Sequence, residues 1–399
     1  MHNVVVEKPY AFSPPYAGER WPKLLRRFLP RRLKREFGIV SVQCQGLDKL
    51  AASRKAGHGI LLAPNHCRPA DPFVVGELAR QADVLLHIMA SAHLFVGSGL
   101  KSWLLRRSGA FSVYREGVDR AAIAAAITIL QEARRPLVIF PEGVITRSNA
   151  RLGNLMEGTA FIARNAAKKR EKDTPPGQVV IHPVALRYFY NGDVKVSIGA
   201  PLDEIESRLS WRPQRQMALT DRITKVGSGL LALKEIEFLG QPQSGLIAER
   251  LARLIDHLLV PLEKEWNGDA PTEDTVVGRV KKLRSAVLPE MIEGKVTEEE
   301  RQRRWGQLAD MYLAQQLSCY PPDYLSESPT PERMLETVER FEEDLTDNCR
   351  VYSPMTVTVE VGDAIPVPSA RDRGAAEDPV MATLERKLKE MLSADHWKR

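Results

Sequence analysis

A short apolar strand, a polar turn and the start of a helix follow one another in the stretch Gly59-Ile60-Leu61-Leu62-Ala63-Pro64-Asn65-His66-Cys67-Arg68-Pro69-Ala70-Asp71-Pro72-Phe73. Asn65 and the prolines favour a turn. Asp71 followed by Pro72 is typical of a helix N-cap with proline at the first helical position. The stretch therefore predicts a strand-to-helix junction of an α/β layered domain, with His66 and Asp71 on either side of it.

His66 and Asp71 supply a base and a carboxylate that can orient it. Imidazole titrates near neutral pH, so a ring held at one nitrogen by a carboxylate can accept a proton from an alcohol at the other. Two other interpretations stay open at this point. Asp71 could serve only as a helix cap, and His66 could serve only the backbone of the loop.

Three further blocks follow in the sequence, each an apolar run of the kind that forms a buried strand, next to a proline, a glycine or a charged residue. They are Gly109-Ala110-Phe111-Ser112-Val113-Tyr114-Arg115, Leu137-Val138-Ile139-Phe140-Pro141-Glu142-Gly143 and Val179-Val180-Ile181-His182-Pro183-Val184-Ala185-Leu186. The second of these continues as Val144-Ile145-Thr146-Arg147-Ser148.

In this order the four blocks resemble those of the glycerolipid acyltransferase superfamily, typified by 1-acylglycerol-3-phosphate acyltransferases. The family blocks are a His-four residues-Asp box, a Gly-x-x-Phe-x-x-Arg block, a Phe-Pro-Glu-Gly block and a proline-centred strand. The resemblance covers roughly residues 40–200. It implies an α/β layered domain with a mixed sheet and an O-acyltransferase of phospholipid biosynthesis.

The resemblance also implies a mechanism, in which a fatty acyl group moves from acyl-CoA or acyl carrier protein to a hydroxyl without a covalent acyl-enzyme. His66 would be the general base, and Asp71 would hold its tautomer and stabilise the imidazolium. The acceptor would be a glycerol phosphate or a lysophospholipid. No cofactor and no metal ion is implied.

Four other residues receive binding roles from the resemblance. Arg115 and Arg147 suit a phosphate, because a guanidinium can make two parallel charged hydrogen bonds. Glu142 would orient the acceptor hydroxyl or one arginine, and Gly143 permits the close turn. A solvated surface position for the arginines and a structural turn role for Glu142 are the alternatives. Family members with phosphate-bearing acceptors commonly place Thr-Arg-Ser directly after Phe-Pro-Glu-Gly, whereas Val144-Ile145 intervene here, so the acceptor stays open.

The cysteines and the histidine of the fourth block receive no role. Cys67 is beside the base, but neighbours in an extended loop point in different directions, which argues against a nucleophile. Cys44, Cys319 and Cys349 lack the paired spacing of a zinc site. Four scattered cysteines fit a reducing, cytoplasmic setting. His182 could equally be a surface or a core residue.

Residues 1–39 form a predicted basic amphipathic segment. Residues 1–40 hold nine Lys or Arg against three Glu, which equals the net charge of +6 of the whole chain. Residues 21–37 mix basic pairs with Trp, Leu and Phe, a pattern suited to an anionic membrane surface. A basic helix packed on the protein's own core and a nucleic-acid arm are the alternatives, and we expect no nucleic-acid partner. No run reaches the 18 or so apolar residues of a spanning helix, so we expect a peripheral protein on the cytoplasmic face of the membrane.

The remaining chain divides by its periodicity into an acyltransferase domain (40–202), a helical module (203–350) and a C-terminal strand and helix (351–399). We expect the module to be an insertion, with the last part rejoining the α/β domain; a plain two-domain chain is the alternative. Asp119 should cap a helix, and Pro261 should kink or end one. The predicted strands are 83–90, 111–114, 137–140, 179–189, 194–198 and 355–361. The strand at 194–198 is expected to form a hairpin with the one before it, through the turn 191–193. The predicted helices include 94–107, 120–133, 157–169 and 380–392.

Other function classes fit less well. A lipid esterase or hydrolase would need a nucleophile, and the chain has no Gly-x-Ser-x-Gly elbow. Nucleotide-dependent catalysis is disfavoured because no Gly-x-x-x-x-Gly-Lys-Ser/Thr loop occurs. A non-catalytic membrane-binding protein that keeps the fold stays as the third interpretation.

Overall fold

The computed structural model describes residues 10–96, 99–174, 176–268, 275–321, 323–325, 329–371, 374 and 377–393. Parts of three predicted segments, residues 1–9, 97–98 and 394–399, lie outside the described residues. The chain folds as two units. One contains residues 10–191 and the chain from Val351 onward, and the other contains residues 192–350.

The first unit is built on a mixed sheet. Its strands are β1 (Ile39–Gln45), β2 (Gly59–Pro64), β3 (His87–Ser91), β4 (Ala110–Val113), β5 (Leu137–Val138), β6 (Val179–Tyr190), β7 (Met355–Val361) and β8 (Ile365–Pro366). The order is β1-β7-β6-β2-β5-β3-β4, and β8 pairs with β6. Strand β6 is antiparallel to β7 and β8, and the other pairs are parallel. The α/β fold with a mixed sheet that the sequence predicts is confirmed.

The helices are numbered along the whole chain. They are α1 (Arg20–Leu25), α2 (Leu29–Phe37), α3 (Leu47–Lys55), α4 (Asp71–Gln81), α5 (Gly99–Arg107), α6 (Arg120–Glu132), α7 (Gly158–Arg170), α8 (Val194–Arg208), α9 (Leu219–Leu239), α10 (Ile247–Asn267), α11 (Val276–Ile292), α12 (Glu298–Leu317), α13 (Pro331–Thr346) and α14 (Pro379–Leu392). Short 3₁₀ turns occupy Arg26–Phe28 and Ala92–Phe95.

The core of the sheet explains the apolar runs of the sequence. Every residue of β2 is buried, since the strand has β5 on one side and β6 on the other. Leu61 packs in one cluster with Phe111, Leu137 and Ile181, together with small residues of α6 and α7. A central parallel strand that is covered on both faces has a continuous apolar sequence, rather than an alternation of apolar and polar residues.

Several predicted elements differ from the observed ones. The hairpin strand at 194–198 is wrong: α8 begins at Val194, because the carboxylate of Asp193 accepts hydrogen bonds from the backbone N–H groups of Lys195 and Val196 and caps a helix. The boundary between the units therefore lies at residues 191–192 rather than at 202–203. The strand predicted at 83–90 begins only at His87, since Asp83 is in a turn with φ +48°. The cap by Asp119 is confirmed.

The second unit is helical, and buried arginine–glutamate pairs join successive helices. Arg222 pairs with Glu206, Arg250 with Glu235 and Arg279 with Glu263, at closest distances of 2.6, 2.8 and 2.8 Å. The kink or end predicted at Pro261 does not stop α10, which continues to Asn267. In the part of the chain that the structure describes, no helix combines the length and the apolar character needed to cross a membrane.

Candidate active site

The candidate site lies at the carboxyl ends of parallel strands, the usual place for ligands in open α/β sheets. His66 comes two residues after the end of β2, and Glu142 follows β5 by four residues. Arg115 comes two residues after β4. Because β2 and β5 are adjacent, their polar loops meet at the same edge.

The His66 ring and the Asp71 carboxylate are directly hydrogen bonded. Nδ1 of His66 lies 2.8 Å from Oδ2 of Asp71. The carboxylate is fully buried, whereas the imidazole keeps 15% of its side-chain surface exposed. With Nδ1 donating to the carboxylate, Nε2 of the neutral ring is an acceptor. The ring also stacks on Phe140, with 4.1 Å between ring centroids. The imidazole is therefore fixed in both orientation and tautomer.

Asp71 does not cap the helix that it begins. The helix N-cap is Ala70, and no side chain caps it. Instead, Oδ2 of Asp71 accepts a second hydrogen bond from the backbone N–H of Arg68 at 2.8 Å, and Oδ1 accepts one from the hydroxyl of Tyr188 at 2.5 Å. The predicted capping role was wrong, because the carboxylate turns back to the loop.

Tyr188 is a site residue that the sequence reasoning missed. It lies on β6 and is buried, and burial together with the neighbouring Asp71 charge raises the pKa of its hydroxyl well above the ordinary value. The hydroxyl therefore acts as a donor to the carboxylate. The guanidinium of Arg68 lies over its ring, 5.3 Å from the centroid.

Two asparagine side chains continue the sheet beyond the end of β2. Asn65 hydrogen bonds to both the N–H and the C=O of Leu186, at 2.7 and 3.1 Å. Asn149 does the same for Tyr188, at 2.8 and 2.7 Å. The two amides thus replace the backbone of a neighbouring strand along β6. They fix the loops that hold His66 and Arg147 to this strand.

Glu142 holds the His66 loop through the backbone. Its Oε1 accepts from the N–H of His66 at 2.5 Å, and its Oε2 accepts from the N–H of Gly153 at 2.6 Å. Burial raises the pKa of Glu142 to about 8, which the two N–H donors oppose and the Asp71 charge reinforces. The carboxyl group therefore fixes the position of the loop that carries the base.

Gly143 and Arg115 are brought together. Gly143 has φ +69°, and a Cβ there would lie 2.4 Å from Sδ of Met156, so a side chain at this position would strain the backbone and displace Met156. Nη1 of Arg115 donates to the carbonyl oxygen of Gly143. The loop before α6 is held by Asp119, which accepts from the N–H groups of Tyr114 and Ala122, both at 2.9 Å.

The two extra residues Val144-Ile145 leave Thr146 in contact with the base loop. The N–H and the hydroxyl of Thr146 both donate to the carbonyl oxygen of His66, at 2.8 and 3.1 Å. Arg147 follows in the left-handed region with φ +58° and is half-buried. Such a conformation is uncommon for a residue other than glycine and often marks a functional turn.

His182 and Cys67 are structural. Nε2 of His182 lies 2.9 Å from Oγ of Ser53, and Nδ1 lies 2.8 Å from the carbonyl oxygen of Gly362. Cys67 is buried next to Asp71, with 3.9 Å from Sγ to Oδ1. Among the described residues, no group of three or more His, Cys, Asp or Glu side chains could hold a metal ion.

The second block departs from the family pattern at one position. Ser112 stands three residues after Gly109, where the family block has Phe, and Phe111 precedes it. The Ser112 hydroxyl lies 2.8 Å from the hydroxyl of Tyr10 and accepts from the N–H of Ser13 at 2.8 Å. The segment before α1 therefore binds along β4.

A comparison with protein families covers the part of the chain that carries the His66 loop. The model of a protein family described as Acyltransferase matches residues 41–187, a range that contains His66, Asp71 and Glu142 and ends one residue before Tyr188. No curated protein matches the chain. Over residues 41–187 the chain therefore carries an acyltransferase domain of the glycerolipid acyltransferase superfamily.

Proposed function

We propose that the protein transfers a fatty acyl group from acyl-CoA or acyl carrier protein to a hydroxyl of a glycerol phosphate or a lysophospholipid, as a step of phospholipid biosynthesis. The observation that carries the proposal is the hydrogen bond between Nδ1 of His66 and the fully buried carboxylate of Asp71. It leaves Nε2 as the acceptor for a substrate proton.

The reaction needs no residue that becomes acylated. Nε2 of His66 takes the proton of the acceptor hydroxyl while its oxygen attacks the thioester carbonyl. Asp71 stabilises the imidazolium that forms. The carbon–sulfur bond then breaks, the ester remains, and the thiolate receives the proton back from His66. Thiol and ester are the products.

Arg115 and Arg147 are the proposed ligands of the acceptor phosphate. Both follow strands that end at the edge where His66 lies, and Arg147 is one residue from Thr146, which contacts the His66 carbonyl. Arg115 has one nitrogen on Gly143, which fixes the guanidinium next to the Phe-Pro-Glu-Gly turn. A phosphate held at this edge would leave the neighbouring hydroxyl within reach of the base.

An anionic membrane surface is the proposed partner of residues 21–37, and α5 extends this surface. The ring of Trp21 meets the ring of Trp103 on α5 edge-on, with 4.7 Å between centroids. Phe28 is 60% exposed and Leu100 is 68% exposed. The same region exposes further apolar and basic residues: Leu24, Trp103, Leu104, Lys23, Arg27, Arg31, Lys101 and Arg106. Apolar side chains among cations suit the interface of anionic lipids. This would place the protein on the inner face of a cellular membrane.

Activity is tested with the purified full chain, acyl-CoA and acyl carrier protein donors, and a panel of glycerol phosphate and lysophospholipid acceptors. We expect ester formation that His66→Ala and Asp71→Asn lower by roughly 10²- to 10⁴-fold without loss of fold. His182→Ala is not a neutral control, because His182 is buried, so Cys349→Ser on the exposed surface serves instead. Equal rates for His66→Ala and wild type would refute the assignment.

Two outcomes of the same assay would favour the other classes. Release of free fatty acid in place of ester, with the same dependence on His66, would indicate a hydrolase. Tight vesicle binding without turnover on any acceptor would indicate a non-catalytic membrane-binding protein.

Arg147→Ala tests the phosphate role. An increase in its acceptor KM for phosphate-bearing acceptors only would support that role.

Membrane binding is tested with vesicles of phosphatidylcholine containing phosphatidylglycerol. Phe28→Ser/Leu100→Ser should bind at least about tenfold more weakly, since two large exposed side chains lose their burial in the interface. The control is Phe161→Ser on α7, which removes an exposed aromatic outside this surface. Unchanged binding of the double variant would contradict the proposed surface.

A further inference from the structure

A basic cavity lies at the end of the sheet opposite His66. It has a volume of about 390 Å³ and lies where β2 and β5 begin, next to Ile60 and Pro136. It is open to solvent, and it is lined by the last part of α3 and by the residues that follow α6. Five of its nine lining residues have basic side chains: Arg54, Lys55, His58, Arg134 and Arg135.

The cations of this cavity are poorly neutralised. No acidic side chain is among the described residues that line it. Arg134 is 3.7 Å from a carboxylate oxygen of Glu132, and both side chains are exposed. The hydrogen bonds of Arg135 go to the backbone oxygens of residues 16, 17 and 18, and its charge also interacts with the Glu19 carboxylate. Arg54 and Lys55 have no ion-pair partner in the described part of the chain.

The ends of the two helices account for only part of this charge. A helix C-terminus is equivalent to roughly −0.5 elementary charge and favours cations nearby. Two such ends, at Lys55 and Glu132, supply about −1, and the Glu132 carboxylate supplies one further negative charge, against the four formal charges of Arg54, Lys55, Arg134 and Arg135. Arg54, Lys55 and Arg134 are exposed, so an anion from solution can reach the remaining positive charge.

His58 adds a polar group without a partner. Its Nδ1 is buried and makes no hydrogen bond within the described chain. Arg170 is held beside it by the carbonyl oxygens of Gly57 and Gln131, at 2.6 and 2.5 Å. Burial, and then the Arg170 charge, lower the pKa of His58. His58 therefore lines the cavity as a polar ring rather than as a further cation.

We propose that this cavity binds a small molecule with two adjacent phosphate groups, through Arg54, Lys55 and the neighbouring cations. The volume is in the range of small-molecule sites, about 300–1,000 Å³. Arginine and lysine are the usual ligands of phosphate oxygens. His66 is six positions after Ile60, or at most about 20 Å away at the rise of a strand. The ligand of this cavity is therefore separate from the groups that react at His66.

The test is calorimetric titration of the full chain with inorganic pyrophosphate, with orthophosphate and ADP as further arms. We expect one pyrophosphate per chain, bound at least about tenfold more tightly than orthophosphate, because two phosphate groups can contact more of the cations. Arg54→Ala/Lys55→Ala should weaken pyrophosphate binding at least about tenfold. Comparable binding of ADP would identify a nucleotide as the source of the phosphates, and weak binding of ADP would identify free pyrophosphate.

Two matched variants separate this site from the alternatives. Arg208→Ala/Arg212→Ala removes the same charge from exposed positions of the second unit and should leave pyrophosphate binding unchanged. Equal weakening by both double variants would show nonspecific attraction and overturn the proposal. So would pyrophosphate binding that Arg147→Ala abolishes and Arg54→Ala/Lys55→Ala does not, which would place the ligand at the candidate active site. Circular dichroism checks the fold, and Lys55→Glu is a second variant that should abolish binding.

Discussion

The hydroxyl of Tyr188 donates a 2.5 Å hydrogen bond to Oδ1 of Asp71, the carboxylate oxygen that His66 does not use. A donor to the ionised form of a carboxylate lowers its basicity. Tyr188→Phe removes the donor and keeps the ring, so the Asp71 carboxylate should hold the imidazolium of His66 more strongly. We expect the acidic limb of the kcat/KM pH profile to move up by roughly 0.5–1 pH unit, while the plateau falls by about tenfold or less.

Tyr190→Phe is the control for this shift. It removes a hydroxyl from the same strand, two residues further along. The acidic limb of the kcat/KM pH profile of Tyr190→Phe should coincide with that of wild type. A Tyr188→Phe enzyme with lower thermal stability and an unmoved limb would show that the hydroxyl supports only the fold.

Asn149→Ala should destabilise the first unit. The side chain is buried and makes two hydrogen bonds to the backbone of Tyr188, at 2.7 and 2.8 Å. Its loss leaves a buried N–H and a buried C=O without partners, at a cost of about 2–4 kcal/mol. Urea unfolding measures the change. Asn165→Ala on α7, which removes one hydrogen bond to the carbonyl of Phe161, should stay within about 0.5 kcal/mol of wild type.

Glu142 should make stability fall as pH rises. Its pKa in the folded protein, about 8, is above the ordinary value of 4.5, so between these values the native state holds a proton that the unfolded chain releases. The Glu142 contribution is fully present below about pH 4.5 and is lost as pH rises through 8, with a slope of at most about 1.4 kcal/mol per pH unit. The amide of Glu142→Gln does not titrate, so this pH dependence should be absent in the variant.

The measurement is the free energy of unfolding of wild type and Glu142→Gln at pH 5, 6, 7 and 8. The difference between the two proteins should shrink or reverse in favour of the variant as pH rises. Parallel curves would mean that Glu142 is already ionised in the folded state at pH 5.

Arg250→Ala should open the helical unit locally. Arg250 and Glu235 form a buried pair across α9 and α10. Removal of one partner leaves an unpaired buried charge, which costs about 3–5 kcal/mol, and Glu235→Ala/Arg250→Ala should cost less than the sum of the single changes. Hydrogen exchange of the α9 and α10 amides measures this. Lys234→Ala, from an exposed pair with Glu237, should change exchange by less than about 1 kcal/mol.

The sequence by itself determined the features that depend on near neighbours. The apolar run that becomes β2, the cap of α6 by Asp119 and the five-residue separation of His66 from Asp71 are local, because strand period, N-cap chemistry and a short loop involve adjacent residues. The strand at residues 355–361 was recognised from its alternation alone. The hairpin strand predicted at 194–198 after the turn 191–193 is wrong, because Asp193 caps a helix there.

Only the tertiary structure decided which distant groups complete the site. The separation along the chain is 117 residues between Tyr188 and Asp71, and 76 residues between Glu142 and the N–H of His66. These contacts follow from the position of β6 next to β2 and from the pairing of β2 with β5. No local pattern specifies strand order or register between remote segments, because both are set by how the whole sheet buries its faces. His66 could therefore be predicted from the sequence. The groups that fix it could not, and these are the Tyr188 hydroxyl, the Asn65 and Asn149 amides and the Glu142 carboxyl group.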